Sequence, residues 1–308
     1  MAASSEIYRI FPTGLFAKCL LLILLGSALF VAFQRYSAIP ADIGAVIPPP
    51  PQTSTNSIAD RGALVGSLQL QKKFYEKQQP ERQAFLAKIS KLAHITNAYI
   101  PEVSCPFMAR LGNPNDGGKW VCNPWKLPKN CVVYSAGVGG DVSFERDLNY
   151  VTDSRCSIFS FDPNHNYGKL FAEFSNVKFN PWKVGKPSDE GKKTFELKDI
   201  MKKFAHTKVD LLKMDVEGSE HSVIPALFES EVRPCQIMIE IHDVVYGKHP
   251  QNPHALLTLL KAFAKAGYLN FSKEHNGHWP DLLEFGFVHQ SCMTEYQIPT
   301  VLHRNLAA

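Results

Sequence analysis

Apolar residues in the last two thirds of the chain fall into short runs, separated by longer segments in which apolar positions recur at helical spacing. The runs predict buried strands at residues 132–134, 157–161, 177–179, 209–215, 236–241, 268–272 and 282–288. The intervening segments predict helices at residues 141–148, 167–174, 195–204, about 220–228 and 254–266. Strands that alternate with helices indicate right-handed crossovers and a doubly wound, mostly parallel α/β sheet. Only a loop separates the last two strands, so we expect them to pair antiparallel at one edge.

The N-terminal region has a different pattern. Residues 19–33 carry no charge, and this apolar run extends back to Leu15 if Lys18 directs its amine toward the membrane surface. The run predicts a signal anchor, with a cleaved signal peptide ending near residues 26–28 as the alternative. Arg9 and Lys18 precede the run, which favours a cytoplasmic N-terminus. Under either interpretation, the rest of the chain enters the secretory pathway.

The change of pattern divides the chain into five predicted segments. These are a cytoplasmic tail at 1–14, a membrane segment at 15–35, a Pro/Ser/Thr-rich stem at 36–66, a lead-in at 67–127 and the α/β domain at 128–308. The stem contains four consecutive prolines, which favour an extended chain. The lead-in is helical as far as about residue 98, with an interruption at Pro80, and is then irregular and able to fold over the sheet edge.

Composition and cysteine usage agree with a folded luminal domain. The chain has 308 residues, of which 45% are hydrophobic, enough for one sizeable core. Its formal net charge of +4 is modest and gives no reason to predict a nucleic-acid partner. Six cysteines follow the membrane segment, and none forms a Cys-x-x-Cys pair, so we predict disulfides, with buried thiols as the alternative, and no zinc site. Of the 15 possible complete pairings, the sequence alone selects none.

The first predicted strand leads directly into a glycine-rich turn that contains Gly137, Gly139 and Gly140. Glycine allows positive φ angles and lets a ligand approach the backbone. The second strand ends at Asp162, and Pro163 follows it. Strand, glycine turn and a later acid at the end of the second strand are typical of a nucleotide crevice, in which the acid binds ribose hydroxyls.

Two further strand ends carry polar clusters. The end of strand four carries residues 213–220, Lys-Met-Asp-Val-Glu-Gly-Ser-Glu, and the end of strand five carries Glu240-Ile-His242-Asp243. Asp215 at such an edge can take a proton from a hydroxyl or hold a divalent metal, and His242 can act as a general base. The alternatives are that Glu217 or Glu220 caps the next helix and that His242 is structural.

The order of these motifs resembles that of the FkbM-like S-adenosylmethionine-dependent methyltransferases, and within them the methyltransferase-like protein 24 group. The matching segments are residues 134–141, 159–163, 212–220 and 239–242. The resemblance implies a class I methyltransferase fold with seven strands. It also implies that Gly137 and Gly139 approach the methionine portion of S-adenosylmethionine, that Asp162 holds the ribose, and that Asp215 and Glu217 lie near the transferred methyl group.

The chain departs from the class I pattern at one position. Many of these enzymes have an acid two residues before the first glycine, where this chain has Ser135. Asp141 could compensate from the other side of the turn. The predicted cofactor-binding residues are therefore Ser135, Gly137, Gly139, Asp141 and Asp162, and the predicted catalytic residues are Asp215, Glu217 and His242.

Together these features predict direct methyl transfer to an oxygen, with Asp215 or His242 removing the hydroxyl proton. A luminal, membrane-anchored domain in the Golgi or endoplasmic reticulum, or a secreted one, meets glycans and secreted proteins, so a sugar hydroxyl is the leading acceptor. Two alternatives remain. A nicotinamide-dependent oxidoreductase would share the glycine turn and Asp162 but normally has a third glycine where Val142 stands. A non-catalytic interaction module would be compatible with Ser135.

Overall fold

The predicted strands form the centre of the structure. The computed structural model describes residues 58–243, 252–277 and 282–306. Its strands are β1 (Met108–Leu111), β2 (Lys119–Cys122), β3 (Val132–Ala136), β4 (Ser157–Phe161), β5 (Val177–Asn180), β6 (Lys183–Val184), β7 (Thr194–Phe195), β8 (Leu211–Met214), β9 (Gln236–Ile241), β10 (Tyr268–His275) and β11 (Leu283–His289). Its α-helices are α1 (Ile58–Leu86), α2 (Leu92–Ala98), α3 (Ser143–Thr152), α4 (Leu197–Lys203), α5 (Glu220–Glu229) and α6 (Pro253–Lys265).

Seven strands pair into one sheet in the order β10-β11-β9-β8-β3-β4-β5. The five strands from β9 to β5 are parallel, and β10 at the edge pairs antiparallel with β11. The chain leaves the central strand β3 toward β4 on one side and returns at β8 on the other, which makes the carboxyl end of β3 the topological switch point. The predicted seven-stranded, mostly parallel α/β fold is confirmed.

Alternate residues of β3 belong to two buried clusters. Tyr134 and Ala136 pack with α4, α5 and α6, whereas Val133 packs with α3 and β2. Because both faces are covered, this strand is an almost continuous apolar run rather than a simple alternation of apolar and polar residues. The same burial holds the carboxyl end of β3 in a fixed position relative to β4 and β8.

The lead-in differs from the prediction in its helical part. α1 begins at Ile58, within the range predicted as stem, and continues through Pro80 to Leu86 without interruption. Proline removes one helical hydrogen bond. Because Pro80 is exposed, water can bind the carbonyl group that loses its helical partner. Near its end Leu86 is buried in the core, whereas Phe85 is 46% exposed.

One predicted helix has a different form. Residues 165–171 form a 3₁₀ helix instead of the predicted α-helix at 167–174. Gly168 lies where an added Cβ would come within 3.0 Å of the Phe179 ring, so this segment packs closely against β5. Close packing and the short 3₁₀ geometry bring Tyr167 near the glycine turn, at Gly140.

Three disulfides link cysteines that the sequence could not pair. They join Cys105 to Cys122, Cys131 to Cys156 and Cys235 to Cys292. The first closes the segment that contains β1, and the second ties together the starts of the neighbouring strands β3 and β4. Three disulfides in one domain are typical of an oxidising compartment.

The chain divides into two units, Met1–Ile58 and Ala59–Ala308, and the features above belong to the second. The predicted tail at 1–14, membrane segment at 15–35 and most of the stem lie outside the described residues. Within residues 58–243, 252–277 and 282–306, no helix is both long enough and apolar enough to cross a membrane.

Candidate active site

The glycine turn after β3 has two glycines with different roles. Gly137 has φ +85°, and a Cβ on it would lie 1.7 Å from the Asp215 backbone oxygen, so only glycine fits beside the end of β8. Gly139 has φ +58°, and an added Cβ would meet no atom within 4 Å. The first glycine therefore allows two strand ends to meet, and the second leaves backbone open to a ligand.

Asp162 lies directly opposite this turn. Its Oδ2 accepts hydrogen bonds from the backbone N–H groups of Val138 at 3.0 Å and Gly139 at 3.3 Å. Its Oδ1 accepts from the Asn164 N–H at 2.8 Å. The carboxylate thus fixes the turn, and it retains acceptor capacity because two carboxylate oxygens offer about four lone-pair sites.

The turn and Asp162 form part of a cleft of about 650 Å³ at the carboxyl edge of the sheet. Asn113 and Gly117 of the loop between β1 and β2 line its other side. The irregular part of the lead-in therefore folds over the sheet edge, as the sequence analysis considered. Two cationic side chains, Lys213 and His242, line the cleft. Its carboxylates are Asp116, Asp141, Asp162, Asp215, Glu217, Glu240 and Asp243. The cleft is therefore acidic, although the whole chain has a positive net charge.

Ser135 and Asp141, both predicted to bind the cofactor, differ in their access to the cleft. Ser135 is completely buried outside the cleft lining, and its Oγ donates to Glu145 Oε1 at 2.5 Å. Glu145 of α3 therefore places a carboxylate beside position 135, where the class I pattern has an acid. Asp141 does line the cleft, and its Oδ1 accepts from the N–H of Ser143, the first residue of α3, at 2.8 Å.

Lys119 was missed by the sequence analysis, yet it joins three strand ends. It begins β2 and is only 1% exposed. Its Nζ lies 3.1 Å from Glu240 Oε2, 3.2 Å from Glu284 Oε1 and 3.7 Å from Asp215 Oδ2. A lysine between a glycine and a tryptophan at the start of a short strand gave no signal that it would meet acids far away in the sequence.

Two lysines hold Asp215 in its charged form. Burial by itself raises the pKa of this carboxyl, but Lys119, Lys213 and His242 together bring the pKa below its usual value. Lys213 also donates to the Gly137 carbonyl at 2.5 Å, which connects Asp215 to the glycine turn. Asp215 therefore remains a carboxylate at neutral pH at the junction of turn and cleft.

His242 lies among four carboxylates. Its Nδ1 is 3.2 Å from Glu220 Oε1, and its Nε2 is 3.1 Å from Glu217 Oε2 and 3.5 Å from Glu240 Oε1. Burial lowers the pKa of the imidazole, but the hydrogen bond to Glu220 and the surrounding charges raise it to about 9. An imidazole that is already protonated at neutral pH cannot accept a proton, so this structure argues against His242 as the general base.

Glu220 has a structural role, whereas Glu217 faces the cleft. Glu220 is fully buried at the start of α5 and accepts from the N–H groups of Val216 at 2.9 Å and Gly218 at 2.8 Å, so it fixes the turn that precedes the helix. Glu217 has φ +56° and a 58% exposed side chain at the cleft. Partial burial raises the pKa of the Glu217 carboxyl and nearby acids raise it further, although His242 opposes this shift.

A family model described as a methyltransferase domain matches residues 65–289. The chain belongs to this methyltransferase domain family. The match includes the lead-in helix from Val65 onward, the β1–β2 hairpin and all seven strands of the main sheet. Lys119 is thus part of the methyltransferase domain and not of a separate appendage.

Relatives of this methyltransferase domain include two curated proteins. The human probable methyltransferase-like protein 24 is 29% identical over 125 residues, which cover 37% of this chain and 33% of that protein. The protein of the same name from Rattus norvegicus is 27% identical over 164 residues, covering 46% and 44%. The match therefore spans less than half the length of either relative. The predicted resemblance to the methyltransferase-like protein 24 group is confirmed.

Solved structures show weaker similarity to the domain. A fibrillarin pre-rRNA processing protein from Methanococcus jannaschii has a TM-score of 0.42 and 12% identity, covering 60% of this chain and 82% of that chain. Aeropyrum pernix fibrillarin in complex with S-adenosyl-L-methionine has a TM-score of 0.36 and 10% identity, covering 61% and 86%. Both TM-scores are too low to carry an argument, so the fold class rests on the strand order.

The environment of His242 predicts an unusual titration. In chelator-treated protein, ¹³C-detected NMR should give His242 a pKa well above that of His206, His289 and His303, whose pKa values are lowered first of all by burial. Because the folded pKa exceeds the unfolded value of about 6.5, His242 should stabilise the fold fully below that pH and lose this contribution as pH rises toward 9. Titration of His242 at or below the pKa of His206 would contradict the geometry described here.

Proposed function

We propose that this methyltransferase domain transfers a methyl group from S-adenosylmethionine to an oxygen acceptor. The observation that carries the proposal is the contact between Asp162 and the glycine turn, which brings an acid and open backbone to one side of the cleft. Membership of the methyltransferase domain family supports the reaction class. The nicotinamide alternative has no comparable support.

The residues present fit this cofactor. Gly139 offers backbone over which no side chain stands, and Asp162 can accept from a ribose hydroxyl with its remaining lone pair. The carboxylates of the cleft favour a ligand with positive charge, and the sulfonium carries one. When bound, S-adenosylmethionine supplies the electrophilic methyl group. The protein's contribution is then the orientation of two bound partners and the handling of one proton.

The proton of the acceptor hydroxyl goes to a carboxylate. Asp215 and Glu217 both line the cleft, and Glu217 has a raised pKa and an exposed side chain. A base whose pKa is nearer to the working pH binds the proton more readily. We therefore assign Glu217 as the base and Asp215 as the charged group that orients the acceptor. We assign His242 as the cation that keeps these two carboxylates in position.

The acceptor we propose is a sugar hydroxyl on a glycan, with a hydroxyl of a secreted protein as the second choice. Three disulfides support an oxidising compartment. The uncharged run at residues 19–33 supports a membrane anchor or signal peptide that would deliver the domain there. The Golgi or endoplasmic reticulum is the location that these features favour.

Turnover by the purified protein tests this function. We expect the full chain to transfer labelled methyl from S-adenosylmethionine to a pool of secretory-pathway glycans, with the label on oxygen. Glu217→Gln should lower kcat by roughly 100-fold, because general-base catalysis contributes about 10²–10⁴-fold, while leaving cofactor affinity nearly unchanged. Glu173→Gln, an exposed acid outside the cleft, is the matched control.

The pattern of binding and turnover separates the alternatives. Calorimetry that detects NAD but not S-adenosylmethionine would refute the methyltransferase assignment. Cofactor binding without transfer to glycan, protein or small-molecule acceptors would favour the non-catalytic interaction module. Ser135, which prompted that alternative, lies outside the cleft lining and next to the Glu145 carboxylate, so its identity no longer argues against cofactor binding.

A further inference from the structure

Four side-chain atoms converge beside His242 in the cleft. The Nε2 atom of His242 lies 3.1 Å from Glu217 Oε2, 3.5 Å from Glu240 Oε1 and 3.9 Å from Asp215 Oδ1. We call these four residues the His242 cluster. Asp215, Glu240 and His242 each present a ligand atom within 4.8 Å of the others, and all four residues line the cleft. Three carboxylates and one imidazole are a set of donors that divalent metal ions accept.

Lys119 leaves the inner oxygens of this cluster available. Its ammonium contacts Oδ2 of Asp215 and Oε2 of Glu240, whereas Oδ1 and Oε1 of the same carboxylates face His242. Oε1 of Glu240 also accepts a longer bond from Asn276 at 3.3 Å, which still leaves it a lone pair. The lysine therefore neutralises one side of Asp215 and Glu240 and does not contact the oxygens that face Nε2 of His242.

The imidazole is held in the orientation that a metal ligand needs. Glu220 is completely buried, and its Oε1 lies 3.2 Å from Nδ1 of His242. Glu220 is itself fixed by the N–H groups of Val216 and Gly218. A metal-binding histidine almost always donates its other ring N–H to such a carboxylate, which turns the free nitrogen toward the ion. Here the arrangement turns Nε2 toward the cleft, and a metal ion bound there would replace the Nε2 proton, so that metal binding releases one proton.

We propose that the His242 cluster binds a divalent metal ion of the manganese type. Two adjacent ligands of an octahedral ion with bonds of about 2.1 Å lie about 3 Å apart. The observed separations from Nε2, 3.1–3.9 Å, exceed this by less than 1 Å, so side-chain adjustment alone can close the site. Oxygen donors favour magnesium and manganese, and imidazole favours later metals, so Mn²⁺ satisfies both kinds of donor.

A metal here would extend the proposed methyl transfer, and this consequence rests on that function. The ion would face the cleft beside Asp215 and Glu217, where the acceptor hydroxyl must approach. A metal-bound hydroxyl loses its proton more readily, because the ion stabilises the negative oxygen. Glu217 would then share its role with the metal. Binding of the ion itself does not depend on methyl transfer.

Electron paramagnetic resonance of chelator-treated full-length protein titrated with Mn²⁺ tests the site. We expect one bound Mn²⁺ per chain, with ¹⁴N modulation in the spin-echo signal from a directly bound imidazole. His242→Gln should remove the nitrogen signal and weaken binding at least tenfold, and Glu217→Gln should weaken binding while retaining the nitrogen signal. His206→Gln and Glu173→Gln, both outside the cleft, should match the wild type.

Three results would overturn the proposal. These are no bound Mn²⁺ up to about 1 mM, binding without ¹⁴N modulation, and equal affinity in His242→Gln and the wild type. A circular dichroism spectrum of each variant establishes that the fold is intact. Calorimetry with S-adenosylmethionine on the same chelated protein tests the methyltransferase function separately from the metal site. Cofactor binding without metal binding would refute the metal site alone.

Discussion

Replacing Lys119 with methionine is expected to destabilise the domain by about 3–5 kcal/mol, because it leaves buried acids without their cation. Glu240 and Glu284 are each 3% exposed, and both lie within 3.2 Å of the ammonium. Thermal unfolding should show a midpoint lower by roughly 10 °C for a domain of this size. Methyl transfer should also fall, since Lys119 helps to keep Asp215 charged and in place.

The comparison with Lys208 makes this prediction specific. Lys208 also contacts two acids, Asp210 and Glu295, but its side chain is 50% exposed. Lys208→Met should therefore cost less than about 1 kcal/mol. Burial raises the pKa of Glu284 to about 8, so this acid takes up a proton as pH falls through 8, and the deficit of Lys119→Met should be largest above that pH. Equal destabilisation by both lysine substitutions would show that Lys119 has no special role in the acid cluster.

Asp162→Ala is expected to weaken S-adenosylmethionine binding by roughly 10- to 100-fold. The estimate corresponds to the loss of charge-assisted hydrogen bonds worth about 1.5–3 kcal/mol. The variant also removes the acceptor for the N–H groups of Val138 and Gly139, so the glycine turn loses its fixed geometry. Calorimetric titration of wild type and variant measures the difference in Kd.

Glu173→Ala controls for the loss of one acidic side chain. Glu173 is exposed and lies outside the cleft lining, so its removal should leave the Kd within about twofold. A second comparison uses 5′-methylthioadenosine, which keeps the ribose but lacks the amino-acid portion. Its affinity should fall by the same factor in Asp162→Ala. Unchanged affinity for both ligands would refute the role of Asp162.

The central sheet could be predicted from local pattern alone. Strands β4 and β9 begin and end at the residues expected from their apolar runs. Both are buried on two faces or nearly so, and burial on this scale dominates other influences on local conformation. Predictions failed where tertiary contacts override propensity. α1 continues through Pro80, and residues 165–171 wind as a 3₁₀ helix against β5.

The candidate site was predicted in part, because strand ends are recognisable in a sequence and distant partners are not. Gly137, Gly139, Asp162, Asp215, Glu217 and His242 each follow a predicted strand, and the structure brings them to one cleft. Lys119 and Glu284 do not lie at these strand ends, and no local sequence pattern marks them as residues of the site. Their contacts depend on how the hairpin and β11 pack beside β9.

The charge state of His242 was also beyond the sequence. A histidine after a strand is compatible with a general base near neutral pH. Only the positions of Glu217, Glu220 and Glu240 around the ring reveal that the imidazole is held as a cation. Ser135 is a similar case, because the carboxylate beside it comes from Glu145 on a neighbouring helix.

A crystal structure of the protein with S-adenosylhomocysteine tests the central claim most directly. The account predicts the ribose hydroxyls within hydrogen-bond distance of the Asp162 carboxylate, and the homocysteine portion against the backbone of Gly137 and Gly139. The sulfur should point toward Asp215 and Glu217. Ligand density elsewhere on the domain, or an adenosine that does not contact Asp162, would contradict the account.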